Sequence, residues 1–410
     1  MEKFRVYIST LNVILGISGY LFLSVIVGDR YQNVISLFFI FQLFLSVIVI
    51  FITPQKVSLR KPIIALFVFW ILLILRFYYD MFVRDDIYIA PDTKATYIRT
   101  FIRILVPAIS FLFSFRFINF EKVLKYSYLL LSIAVTVAFF SYDISFQDRL
   151  SVNSTIGIIQ SGHFGIQTFI LSLFLILKRS SNNPLILFFR LFIAIISLIF
   201  ALKTGSRGPL FALIVVGFVW YYSRKDVSLF RIFIVVLLFF LAQDVIMNLL
   251  GQISPLLLRR FEEHSESGGQ LYDRLDLYRY AWEAFLSNPI IGSSFGQYRS
   301  EWMGFFYWSH NSFLDALMQL GIIGGSLYAY ILYKLFYVTN RLIKYNHTHF
   351  WLGLIGIQYI AKIMLSSAFY MEPIVTYLLV LCFLFYYNNI FDDSKKALRY
   401  GNDIRRYTNI

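Results

Sequence analysis

The chain has 410 residues, of which 59% are hydrophobic and 20% aromatic, with only 15% charged. That composition excludes a soluble globular domain, because so much apolar surface has no interior of its own to fill. The formal net charge of +14 would suit a nucleic-acid partner, but in a membrane protein basic cytoplasmic loops carry such an excess, so no nucleic acid is expected.

Apolar runs of about 20 residues recur between short polar breaks, each long enough to cross a hydrocarbon core roughly 30 Å thick as a helix. The first, from Tyr7 to Val27, is too long for a signal-peptide core and lacks a small-residue cleavage site, so it reads as a retained span. Further spans fall near 33–53, 62–79, 98–117, 123–142, 155–177, 184–202, 208–222, 229–250, 311–338, 350–370 and 374–390. The fold class is therefore all-α integral membrane, with about 12 transmembrane helices. Basic residues mark alternate breaks: Arg60 and Lys61, Lys122 and Lys125, Arg224 and Lys225, Arg341 and Lys344, and a tail with Lys395, Lys396, Arg405 and Arg406. The other breaks are acidic, with Asp80, Asp85, Asp86 and Asp92 in one and Asp143 and Asp148 in another. By the positive-inside rule both termini are cytoplasmic. The lone Cys382 excludes an internal disulfide and says nothing of redox compartment.

One outside segment, from Gly251 to Ser309, is too long to be a simple turn and lies between the ninth and tenth spans. The chain thus divides into spans one to nine over 1–250, a helical extracytoplasmic loop over 251–309, and spans ten to twelve with a basic tail over 310–410, all within a single membrane domain. Within the loop, QLYDRLDLYRYAWEAFLSNP predicts a helix stopped at Asn288-Pro289. Leu271, Leu275, Tyr278, Trp282 and Phe285 share one face at helical spacing, Asp273, Asp276 and Glu283 lie opposite, and Arg274 falls beside the apolar face.

Polar residues near the outer surface are the candidates for chemistry. Arg99 and Arg103 lie one turn apart at the outer end of the fourth span, where they either meet an anion or pair with Asp85 and Asp86. Arg76 and Asp80 are spaced for a local ion pair. Arg149 precedes a sixth span that holds Gln160, Ser161 and His163, polar groups that suit a protein cavity better than lipid. In KTGSRGP, Gly205, Gly208 and Pro209 are turn and helix-start residues. They set Arg207 beside a helix N-terminus, where N–H groups and a guanidinium together suit phosphate; the plainer reading is an arginine snorkelling to the interface. His310 stands at an outer helix start, and a neutral imidazole there can accept a proton from a hydroxyl or orient it. Capping by Ser309 or Asn311 is the plainer role for this segment. Tyr278 and Trp282 offer aromatic faces for a sugar or for packing. No metal-ligand spacing, phosphate-binding glycine loop or nucleophile elbow occurs in the sequence, so neither metal nor cofactor is expected.

The outer Gly-Ser-Arg-Gly turn, the large late loop with an arginine-bearing helix, and His-Asn-Ser-Phe-Leu followed by Leu-Gly-Ile-Ile-Gly resemble the O-antigen ligase and polymerase family of bacterial membrane glycosyltransferases. The resemblance is densest over about 200–330; the first 140 residues share only hydropathy. It implies transfer of a glycan from an undecaprenyl-diphosphate carrier to an acceptor sugar hydroxyl, at the outer face of the bacterial cytoplasmic membrane. By motif position it assigns the diphosphate to Arg207 and Arg274 and the acceptor to His310. Arg99, Arg103, Arg149, Gln160, His163, Tyr278 and Asn311 complete the candidate set. The implied partners are a carrier-linked glycan donor, a glycan or lipid-linked acceptor and membrane lipid, with a chain-length regulator as a further candidate. A polymerase, acting on a carrier-linked repeat unit with inversion, is the preferred reading by analogy. A ligase acting on lipid A core is the alternative. A flippase fits less well, since transporters place their sites near the midplane in inverted repeats.

Overall fold

The computed structural model describes residues 1–27, 32–53, 60–84, 91–141, 157–178, 183–224, 251–252, 254–255, 269–298, 306–345 and 348–388. The described chain is helical apart from one two-residue antiparallel pairing, in which Gln297 faces Tyr307 and Tyr298 faces Phe306. The helices are α1 (Glu2–Val27), α2 (Asn33–Ile52), α3 (Lys61–Val83), α4 (Pro91–Ser114), α5 (Phe120–Phe140), α6 (Ile158–Leu177), α7 (Pro184–Lys203), α8 (Arg207–Arg224), α9 (Gly269–Ser287), α10 (Ser312–Tyr345), α11 (Phe350–Leu365) and α12 (Pro373–Asn388).

Eight of these helices are long and apolar enough to cross a membrane, and α8, α11 and α12 are shorter apolar helices. Each coincides with a predicted span; the predicted span at 229–250 lies outside the described residues. Backbone polar groups have no water partner in hydrocarbon, so apolar runs of this length satisfy them internally as helices. Local chemistry sets several starts. Asn119 accepts from Lys122 N to cap α5, and Asn183 accepts from Leu185 N to cap α7, whose first residue is proline.

The centre of the bundle is α11 and α12, buried along nearly their whole length. Around them pack α3, α6, α8 and α10, with aromatic contacts such as Phe69 on Tyr328 at 5.0 Å and Trp70 on Phe369 at 5.4 Å. Apolar side chains such as Leu185 and Phe188 of α7 or Phe44 and Phe51 of α2 point outward, the pattern of helices that face lipid.

The sequence predicts one continuous tenth span over 311–338, but α10 is two helices that meet at Gly321. There φ is 63° and ψ is −159°, a region open essentially to glycine alone. The groups freed by the break are taken by the segment after α9: Ile322 N donates to Pro289 O at 2.8 Å and Ser293 N donates to Met318 O at 2.8 Å. This segment is also clamped to the end of α3. Arg76 and Asp80 form the predicted ion pair at 2.8 Å, and Arg84 approaches Asp80 at 3.5 Å. The buried Asp80 accepts from Phe295 N at 2.6 Å, while Arg76 and Arg84 both donate to Ser293 O.

The predicted helix α9 is present and stops at the predicted place, but its buried face is rotated from the predicted one. Ala281 and Phe285 are buried, Arg274 and Tyr278 are half-buried beside them, and Leu275 and Trp282 are exposed. Leu271 and Asp273 have side chains outside the described residues.

Candidate functional site

Arg274 and His310 come from separate segments and meet at one place, the C-terminal end of α11, and the turn that carries Arg207 abuts the same place. A helix leaves its last carbonyls unpaired and carries partial negative charge there. Arg274 Nη1 donates to Leu365 O at 3.1 Å, and His310 Nδ1 lies 3.2 Å from Ser366 O. Arg207 opens α8, and Gly208 beside it presses on Ser366, where a Cβ would stand 2.7 Å from Ser366 Oγ. A side chain at 208 would have to displace the Ser366 hydroxyl for the Arg207 turn to approach the helix end so closely. The tight turn before it needs Gly205 at φ 61°.

His310 is the one non-glycine residue with positive φ among the described residues, at 58°. Such a conformation costs about 1–3 kcal/mol and persists where surrounding structure enforces it. The enforcement is visible. Asn311 Oδ1 caps α10 by accepting from Phe313 N at 3.0 Å and Leu314 N at 3.2 Å. Ser309 N donates to Asp315 Oδ1 at 2.8 Å, and Ser309 Oγ donates to Asn311 O at 2.9 Å. The imidazole is therefore presented by a fastened turn.

Two groups compete for His310 Nδ1. Trp308 Nε1 stands 3.2 Å away as a donor, and Ser366 O stands 3.2 Å away as an acceptor. They require opposite tautomers. With the proton on Nδ1 it is donated to Ser366 O, and Nε2 keeps a lone pair for a substrate hydroxyl. Burial lowers the His310 pKa below its ordinary 6.5, the Ser366 bond opposes that shift, and the Arg274 charge adds to it. The ring is neutral near pH 7, the state in which it can accept a proton.

Behind the helix end lies a buried polar cluster that the sequence reading did not single out. Lys362 Nζ pairs with Glu372 Oε1 at 2.7 Å, both nearly inaccessible, and Ser367 Oγ donates to the same oxygen at 2.9 Å. The pair ties α11 to the segment leading into α12, one turn from the carbonyls that hold Arg274 and His310. Charges buried at membrane depth are costly unless they meet each other or serve function. His163 is buried beside it, Nε2 being 3.9 Å from where a Gly208 Cβ would sit, and Gln358 Nε2 donates to its carbonyl at 2.7 Å.

The remaining candidates divide. Arg103 lies over the Phe39 ring at 3.9 Å and, with Gln160, Gln42 and Glu372, lines a cavity of about 170 Å³. Glu372 thus borders both this cavity and the helix-end cluster. Arg99 is exposed and donates back to Ala95 O of its own helix at 3.1 Å. Tyr278 is half-buried on α9, and Asn311 serves as the cap described above. Arg149, Asp85 and Asp86 lie outside the described residues. Another cavity, of about 850 Å³ between α1 and α5, is lined by Lys3, Tyr7, Lys122 and Tyr126 and holds none of the candidates. Among the described residues, no group of three or more His, Cys, Asp or Glu side chains is arranged to hold a metal ion.

Asp315, Trp308, Lys362 and Glu372 are the site residues that sequence reasoning missed. Lys362 and Glu372 leave a signal, as isolated charges in the apolar run YIAKIMLSSAFYMEP. Asp315 is a buried acid in the first turn of an apolar helix.

Residues 191–329 match the family model described as O-antigen ligase. That segment contains Arg207, Arg274 and His310. No curated protein and no solved structure matches the chain.

Proposed function

We infer that this chain, whose residues 191–329 match the O-antigen ligase family model, is a surface-polysaccharide polymerase of that family. It transfers a glycan from an undecaprenyl-diphosphate carrier to a hydroxyl of a carrier-linked repeat unit. The observation that carries this reading is the meeting of Arg274 and His310 at the end of α11, with the Gly208 turn that bears Arg207 packed on Ser366. The topology that goes with it has 12 spans, both termini in the cytoplasm and this helix end at the outer face of the cytoplasmic membrane.

In the proposed reaction the acceptor oxygen attacks the anomeric carbon from the side opposite the diphosphate, so the configuration inverts. The carbon–oxygen bond to the diphosphate breaks, and its electron pair leaves with undecaprenyl diphosphate. The acceptor proton passes to His310 Nε2. A diphosphate leaving group gains negative charge in the transition state, which fixed guanidiniums stabilise without a metal. Arg207 at the start of α8 and Arg274 on α9 are the two groups for that task. Arg103 and Gln160 belong to a neighbouring cavity whose role is to receive a polar part of donor or acceptor. A chain-length regulator is a further partner in this reading.

The description of the matching family, O-antigen ligase, favours a second reading, a ligase that delivers the glycan to lipid A core. Purified protein, donor and each acceptor separately distinguish the two, since only a polymerase builds a ladder from carrier-linked repeat units alone. Arg207→Ala and Arg274→Ala are expected to lose product with membrane insertion intact. Full activity in both variants overturns the diphosphate assignment.

A further inference from the structure

Helix α9 carries three distinct faces at its 3.6-residue pitch. Ala281 and Phe285 are buried against the bundle, on the side where Arg274 reaches Leu365 O. Asp276 and Glu283 lie on an exposed polar face. Between these two runs an exposed apolar stripe formed by Leu275, Trp282 and Leu286, 48%, 46% and 56% accessible. Arg279 stands where the stripe meets the acids and pairs with Asp276 at 2.8 Å.

The stripe does not end with the helix. Ile290 and Ile291 follow it, both exposed, and Ile290 lies against Gly321, where Ile322 and Ile323 of α10 are exposed in turn. Two residues further on, Ser293 O is held by Arg76 of α3 and by Arg84 just past its end. That end of α3 exposes Tyr78, Tyr79 and Phe82, the kind of aromatic cluster that sits at headgroup depth. The clamp therefore holds the C-terminal end of α9 and its stripe near that aromatic cluster and beside the exposed apolar residues of α10.

We propose that α9 lies in the lipid headgroup layer, with Leu275, Trp282 and Leu286 against acyl chains, Arg279 at phosphate level and Asp276 and Glu283 towards water. Its occupant is bilayer lipid. A polar loop helix has no reason to expose a tryptophan and two leucines in one sector, whereas an interfacial helix buries such a stripe at the headgroup–acyl boundary. Arg279 spans the boundary because its aliphatic stem suits the apolar sector while its guanidinium reaches phosphate. The arrangement stands independently of the reaction, and it sets Arg274, on the next face of the same helix, at the depth of lipid phosphates.

Spin labelling of the full chain in a Cys382→Ala background tests this in liposomes of phosphatidylethanolamine and phosphatidylglycerol. Leu275→Cys, Leu286→Cys and Glu283→Cys labels are compared by power saturation, with oxygen to report acyl chains and a nickel chelate to report water. The expected result is a depth parameter of opposite sign on the two faces: oxygen-dominated relaxation at 275 and 286, chelate-dominated at 283. Equal chelate access at all three positions overturns the proposal and leaves the stripe in water. Shielding of 275 and 286 from both reagents, with dipolar broadening, also overturns it, because a second copy of the chain then covers the stripe.

Discussion

Replacing Gly321 by alanine tests how α10 is broken and docked. The residue sits at φ 63° and ψ −159°, and forcing a Cβ into that region costs on the order of 1–3 kcal/mol. The new methyl also meets backbone that cannot swing aside: Ile291 N stands 2.6 Å from its position, with the carbonyl of Ile290 nearer still. Overpacking of this kind adds about 1–3 kcal/mol. Moving the backbone to relieve it gives up the Ile322–Pro289 and Ser293–Met318 hydrogen bonds, each worth roughly 1 kcal/mol. The expected loss is therefore about 3–5 kcal/mol, read by reversible SDS-induced unfolding in mixed micelles. Gly217, exposed in the middle of α8 with nothing within 4 Å of its would-be Cβ, is the control. Gly217→Ala is expected to be neutral or to stabilise by about 0.5–1 kcal/mol. A Gly321→Ala protein within about 0.5 kcal/mol of wild type refutes the account of the break.

Three further outcomes follow from the same contacts. Lys362→Met, which leaves Glu372 buried without its cation, is expected to destabilise by about 3–5 kcal/mol, and Lys362→Met with Glu372→Met to recover much of that loss, measured by the same unfolding assay. Transfer should also fall in both, since the pair braces the helix end that holds Arg274 and His310. Asp80→Asn weakens the clamp formed by Arg76, Arg84 and Phe295 N, and should raise proteolytic cleavage around residues 288–296 in proteoliposomes. For pH, the burial-lowered His310 keeps its neutral form active as pH falls through 6.5, so the rate declines only below the ordinary histidine range. The unfolded histidine binds its proton first on acidification, so stability falls from about pH 6.5 downwards and levels off below the folded-state pKa. A transfer rate that already halves at pH 6.5 and is insensitive to His310→Gln contradicts this.

The apolar helices were legible because bilayer thickness dictates run length, and α8 begins at Arg207 as the Gly-Pro pair implies. The stop of α9 at Asn288-Pro289 was equally plain. The buried face of α9 was not, because docking is decided by Arg274 reaching a carbonyl on α11 rather than by the largest apolar stripe, which is left outward. Nor was the break in α10 visible, since Gly321 lies in an otherwise helical apolar run and its strain is sustained only by the Pro289–Ser293 segment far back in the chain. The arginines at 207 and 274 and the histidine at 310 could be named from local pattern. The shared anchor of Arg274 and His310 could not, because the carbonyls of Leu365 and Ser366 carry no side-chain signal. Asn311 was legible as a cap, and it is one.

The most direct measurement is incubation of the purified protein with a carrier-linked repeat unit as sole substrate, wild type beside His310→Ala, with products resolved as a glycan ladder. The account predicts a ladder from wild type that disappears in His310→Ala while the variant remains folded. A ladder of unchanged length and rate from His310→Ala would contradict the place given to His310. Transfer that appears only when lipid A core is supplied would contradict the polymerase reading and establish the ligase.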